Sequence, residues 1–281
     1  MPSYDIPFDH SYFHTPSSLI YRLLCYDVLA KMGSYFVAHN KKAYIKIYQN
    51  LDGNHTHLLP LGYPSLDRVV KTYKEHSSSF AGKRDTIICN SRWRNAVNGI
   101  AMKERMIEVV DLLLKNGYRV CYKINPNYDF SLQAQVAKRW ENRTNFCFFT
   151  EQDLSMEELN RSITLVDFGS SLLYTYPLIT HKPSIMLQPS IEWFRLNCHI
   201  VDHFYEERLQ LKVYSNTDLL EYIERLKNDL EFKEERAKMV DYYIKNETYH
   251  FGCASEAVVN FIDNYYNKWI ADGNFKYQDH L

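Results

Sequence analysis

The sequence predicts an α/β fold built on a Rossmann-type, doubly wound parallel sheet. Three observations predict it. Short apolar runs alternate regularly with helical patterns from about residue 84 to 248. That block holds enough strands for one complete sheet, and such alternation means βαβ units with parallel strands. Residues 1–75, by contrast, offer few strands and read as the closing part of a similar, truncated α/β unit.

Each element follows from local pattern. Ser17–Ala30 has apolar residues at helical spacing behind a Pro-Ser-Ser start, and Ala43–Leu51 is also helical. Tyr35–Ala38 and His57–Leu61 are short strands, and a helix runs from Ser65 to about Glu75. The Ser-rich stretch His76–Lys83 reads as a linker. Then come strand Asp85–Cys89, the long helix Gly99–Lys115 with Asn116-Gly117 as its stop, and strand Tyr118–Ile124. Leu132–Trp140 is a helix and Asn145–Phe149 a strand, followed by helix Ser155–Arg161 with Ser155 as its cap. Strand Ile163–Val166, helix Leu172–Thr180 and strands Ser184–Leu187 and Lys212–Tyr214 come next. Helices around Asp218–Leu230, Glu234–Asn246 and Ser255–Trp269 close the chain.

Composition narrows the partners. The chain is 46% hydrophobic with a formal net charge of -1, which excludes charge-driven disorder and any global field for nucleic acid or anionic lipid. Twenty-three Tyr and fifteen Phe fit a large core with half-buried tyrosines. The six cysteines form no CxxC pair, and Cys89, Cys121 and Cys147 lie inside apolar runs as small hydrophobes. That argues against zinc or a disulfide framework and for a reducing cytoplasm. No apolar run approaches the ~18–20 residues that span a bilayer, so any membrane contact is expected to be peripheral.

In an open parallel sheet, ligands bind beyond the carboxyl ends of the strands. Four segments fall there. Asp167-Phe168-Gly169-Ser170-Ser171 is either an anion site at a helix start or a helix cap. Lys123-Ile124-Asn125-Pro126 is either a phosphate contact or a turn. In Asn90-Ser91-Arg92-Trp93-Arg94-Asn95, Arg92 and Arg94 suit bidentate phosphate binding or simply pair with nearby acids. Gly62-Tyr63-Pro64-Ser65-Leu66-Asp67 reads by itself as a tight strand-to-helix turn. His199 and His203 are spaced i,i+4, but no Glu follows the first, which rejects a zinc-protease helix. GxSxG, Walker and GxGxxG motifs are absent.

The order and spacing of these segments resemble the CDP-glycerol glycerophosphotransferase family, the teichoic-acid and capsule polymerases of GT-B fold. Gly62–Asp67 is similar to that family's G-x-P-R-x-D turn, with Ser65 where Arg is usual. Asn90–Arg94 matches a strand ending in a P-T/S-x-R loop, and Lys123–Pro126 matches a basic residue followed by His-Pro, with Asn125 in place of His. Asp167–Ser171 looks like T-D-Y-S-S, His181-Lys182-Pro183-Ser184-Ile185 like the K-P-I strand, and Gly252-Cys253-Ala254-Ser255 like D-G-x-A-S. The resemblance covers roughly residues 34–262.

What the resemblance implies is a GT-B-like protein whose residues 84–250 bind a nucleotide-activated donor. Residues 1–75 are then part of an acceptor-side domain, 76–83 a linker, and 251–281 a helix packing back across the cleft. Arg92, Arg94, Lys123, Asn125, Gly169, Ser170 and Ser171 would hold the donor's phosphates, with Asp167 arranging their loop. Gly62, Pro64 and Asp67 would form a structural turn. The family's H-G histidine has only His10 and His14 as candidates. The implied reaction moves a glycerol-phosphate or glycosyl unit onto a polymer or lipid-linked acceptor, with no metal or other cofactor and no nucleic acid, at the inner face of the plasma membrane. The alternative is a non-catalytic remnant or scaffold of the same fold.

Overall fold

Six strands lie side by side, all parallel, in the order β5-β4-β3-β6-β7-β8. They are β3 (Thr86–Ser91), β4 (Arg119–Ile124), β5 (Phe146–Phe149), β6 (Ser162–Asp167), β7 (Ser184–Leu187) and β8 (Gln210–Val213). Numbered within the sheet this is 3-2-1-4-5-6, the Rossmann order, whose direction reverses between β3 and β6. This computed structural model describes residues 36–42, 45, 58–91, 97–124, 130–149, 154–188 and 205–271. The expected helix Ser17–Ala30, most of Ala43–Leu51, and His10, His14, Arg92, Arg94 and Asn125 lie outside the described residues.

The helices of the sheet unit are α2 (Val97–Lys115), α3 (Phe130–Ala137), α4 (Met156–Arg161), α5 (Leu172–Thr180) and α6 (Asn216–Asn228). They follow α1 (Pro64–Ser79) and precede α7 (Leu230–Glu247) and α8 (Ala254–Ala271). Strand alternation sends Ile87, Cys89, Val120, Tyr122, Val166, Ile185, Leu187 and Val213 to one face, where they meet Met106, Val109 and Leu113 of α2 and Leu219, Ile223 and Leu226 of α6. Burying each such aliphatic side chain is worth about 1.5–3 kcal/mol. The opposite face carries α5, which packs on β6 and β7. Both faces are covered, so the strands are buried on both sides and mainly apolar, with polar residues gathered near their ends.

Local chemistry sets the boundaries. The Asn116-Gly117 stop is a left-handed cap: Gly117 has φ 79°, its N–H donates to the carbonyl of Leu114 at 3.2 Å, and Tyr118 N donates to Leu113 O at 3.1 Å. Ser155 caps α4 through the N–H of Glu158. Strand β7 and helix α5 occupy the residues that the sequence predicts. Helix α1 runs to Ser79, four residues into the expected linker, because the hydroxyls of Ser77, Ser78 and Ser79 bond back to the carbonyls of Lys74, Glu75 and His76 and let the serines stay helical.

Among the described residues the chain divides into two compact units: Thr72–Ile244, which holds the sheet, and the paired segments 36–71 and 245–271. Residues 245–250, expected in the donor block, group with the second unit. There β1 (Phe36–Val37) and β2 (Leu58–Leu59) pair in parallel, and Asn40 bridges Thr248.

Candidate functional site

The site is built where the sheet reverses direction. Asn90 and Lys123 are paired in register near the carboxyl ends of β3 and β4, and Asp167 ends β6 on the other side of Asn90. Alternation puts all three on the sheet face opposite α2, and all three are buried. Asn90 Nδ2 donates to Asp167 Oδ2 and, at 3.1 Å, to Ser170 Oγ. The Ser170 hydroxyl donates to the same Asp167 oxygen. Asp167 Oδ1 accepts the N–H groups of Phe168 at 2.5 Å and Gly169 at 3.1 Å. One carboxylate therefore folds the whole β6–α5 loop around itself.

This geometry divides the labour within Asp167–Ser171. Asp167 and the Ser170 hydroxyl build the loop, and Ser170 Oγ also accepts Leu172 N at 3.2 Å, which caps the start of α5. Ser171 is exposed, makes no side-chain capping bond, and stands at the positive end of α5. The amides of Ser170 and Ser171 have no acceptor among the described residues. These donors, rather than the Ser170 hydroxyl, are open to an anion.

Two buried amides flank the cluster with atoms left over. Among the described residues, Asn90 Oδ1 has no hydrogen-bond partner and neither atom of the Gln188 amide has one, although Gln188 is fully buried. Gln188 follows β7 and shares the face of Met186, the register partner of Asp167. The sequence reading passes over Gln188, since a Gln after a strand carries no local signal. Lys123 Nζ donates to Ile124 O at 3.2 Å.

The Lys-Pro segment is structural. Lys182 Nζ donates to Leu159 O at 2.9 Å, Asn160 O at 3.3 Å and Ser162 O at 2.7 Å, closing the C-terminal end of α4. Burial, with Arg84 adding to it, pulls the Lys182 pKa down to about 7, while the three carbonyls and the helix dipole favour the ammonium.

In the second unit, two segments far apart in sequence meet. Gly62 has φ 86°, and a Cβ there would stand 2.2 Å from Tyr249 O and 2.9 Å from the Cβ of Ala254. Asp67 Oδ2 accepts the N–H of Ser255 at 2.6 Å, so an acid in the first turn of α1 caps α8. Ser255 Oγ donates to Pro64 O at 3.4 Å. Gly62, Pro64 and Asp67 thus hold the turn against the start of the last helix.

Comparison with solved structures identifies the fold. The chain is similar to the wall teichoic acid polymerase TagF, in a variant form, with TM-score 0.57 and 16% identity over 85% of this chain and 59% of that one. A TagF crystal soaked with CDPG matches with TM-score 0.54 and 15% identity, covering 84% of this chain and 58% of that chain. The S. aureus MnaA–UDP co-structure matches with TM-score 0.55 and 14% identity, covering 83% of this chain and 61% of that chain. At these identities the likeness is one of fold: the protein is α/β and GT-B-like. The chain spans about three fifths of the length of the structures it matches. No family model matches it, nor does any curated protein.

Proposed function

We propose that this protein transfers a glycerol-phosphate or glycosyl unit from a nucleotide-activated donor, CDP-glycerol or a similar compound, to a growing cell-surface polymer or lipid-linked acceptor. The observation that carries the reading is the Asn90–Asp167–Ser170 cluster at the switch point of the sheet, with Lys123 beside it. Parallel α/β sheets bind nucleotides at that place, and a helix start with free amides and a hydroxyl suits their phosphates. On this reading residues 84–250 hold the donor, and Ser171, the amides of Ser170–Ser171 and Lys123 meet its phosphates, joined by Arg92, Arg94 and Asn125. His10 and His14 are the candidates for the catalytic base. The acceptor hydroxyl attacks phosphorus or an anomeric carbon while these donors stabilise the departing nucleotide phosphate. No described helix is long and apolar enough to cross a membrane, so contact with the inner face of the plasma membrane is read as peripheral.

Calorimetry with CDP, CDP-glycerol and UDP tests the reading. One nucleotide is expected to bind, and Ser171→Ala should weaken it about tenfold, the loss of one hydrogen bond to a charged group. Absence of binding by all three would sink the donor-domain reading and leave a scaffold of the same fold.

A further inference from the structure

Away from the switch point, β4 and β5 bring two cysteines together that stand far apart in the sequence. Cys121 and Cys147 are direct register partners in adjacent parallel strands. Neighbouring strands lie about 4.8 Å apart, inside the ~4.4–6.8 Å range of Cα separations that a disulfide accepts. The sulfurs and a carboxylate oxygen of Glu158 all lie within 4.8 Å of one another. Cys121 is buried, whereas Cys147, on the edge strand, is partly open.

The charges around the pair decide what it does. Both Glu158 oxygens are taken by Arg119, at 2.6 and 2.7 Å, so the carboxylate is already neutralised. Arg119 and Arg161 also act on the Cys147 sulfur. With Glu158 paired to Arg119 and Arg161 to Asp85, no free carboxylate among the described residues is left there for a divalent cation, while both guanidinium groups still favour a thiolate at Cys147 against the Glu158 charge. The neighbouring Cys121, with the two arginines, holds the Cys147 thiol below its usual range against burial and the Glu158 charge, which raise it, while Cys147 and burial raise Cys121; Cys147 is also the member of the pair that a reagent can reach.

We propose that Cys121 and Cys147 form a redox-active dithiol, with Cys147 as the attacking thiolate and Cys121 as the resolving thiol, oxidised by hydroperoxides. The Cys147 sulfur attacks one peroxide oxygen, the O–O bond breaks, and the other oxygen leaves as water or alcohol after gaining a proton. Cys147 is then a sulfenic acid, oxidised by two electrons as the peroxide is reduced. The Cys121 sulfur attacks the Cys147 sulfur, the S–O bond breaks, and hydroxide leaves with the Cys121 proton as water. A disulfide across β4 and β5 remains. This inference stands apart from the nucleotide reading.

The test treats the native full chain with limiting hydrogen peroxide and maps all six cysteines by peptide mass spectrometry. The expected product is a reducible cross-link between the Cys121 and Cys147 peptides, formed before exposed Cys253 is modified. Cys147→Ser should abolish it and slow Cys121 oxidation at least tenfold. Cys121→Ser should leave a Cys147 sulfenic acid trapped by dimedone. Oxidation of Cys253 while both strand cysteines stay reduced would overturn the proposal. So would a Cys147 sulfenic acid in the wild type that never proceeds to the cross-link. The wild-type map decides even if a variant fails to fold.

Discussion

Gln188 is a side chain whose chemistry is unanswered by its surroundings. Both ends of its amide are buried and without a partner among the described residues, a condition that costs about 1–3 kcal/mol in an unliganded protein. Gln188→Met keeps the length and removes the polar atoms. The expected result is a higher melting temperature without ligand, by about 2–4 °C for each kcal/mol regained, together with weaker nucleotide binding. A lower melting temperature would show that the amide has a structural partner instead. Asn90 differs, because its NH₂ is committed to Asp167 and Ser170 and only Oδ1 is left over. Of these residues the sequence singled out Asp167 and Ser170, since an acid and serines at a strand-to-helix junction form a local pattern. A lone Gln after an apolar strand does not, and Asn90 stood only at the head of a segment marked by its arginines.

At the scale of elements, α5 shows how a local defect is repaired from a distance. Pro177 lies inside α5 and has no N–H to give to the carbonyl of Leu173. That carbonyl instead accepts the hydroxyl of Ser184, at 2.7 Å, from the first residue of β7. Ser184→Ala should therefore cost about 1–3 kcal/mol of stability, measured by chemical denaturation, with the acceptor buried and unpaired. Ser184→Thr keeps the hydroxyl and should recover part of the loss. Lys182 acts the same way on α4, through three carbonyls. The Lys-Pro-Ser run is thus a set of ties between β7 and the two preceding helices. Its spacing was legible in the sequence, but these partners were not, because helix ends accept donors from any neighbour that packing supplies.

At the scale of the whole molecule, His39, in the unit formed by 36–71 and 245–271, links stability to pH on the acid side. Burial lowers its pKa from the ordinary 6.5 to about 4. The folded state therefore keeps His39 neutral where the unfolded chain takes up a proton. Its contribution is whole above pH 6.5, declines as pH falls towards 4, and is lost below that, with a magnitude on the order of 3 kcal/mol. Denaturation midpoints of the wild type and His39→Gln should diverge across that window, the variant losing less as the pH falls. Parallel curves would mean that other groups govern acid unfolding.

The sequence by itself determined what is written in neighbouring residues. Apolar runs buried on both faces marked the strands, and Ser155 and Asn116-Gly117 marked helix ends through bonds within a few residues. The α/β class followed from their alternation. Only the tertiary structure decided which strand lies beside which. That order sets Asn90 against Asp167 and Cys121 against Cys147, and helix packing sets Asp67 on the first turn of α8. The physical reason is that periodicity shows which face of an element is buried but not what covers it. A contact across many tens of residues is fixed by packing of the whole chain and leaves no local pattern in a single sequence.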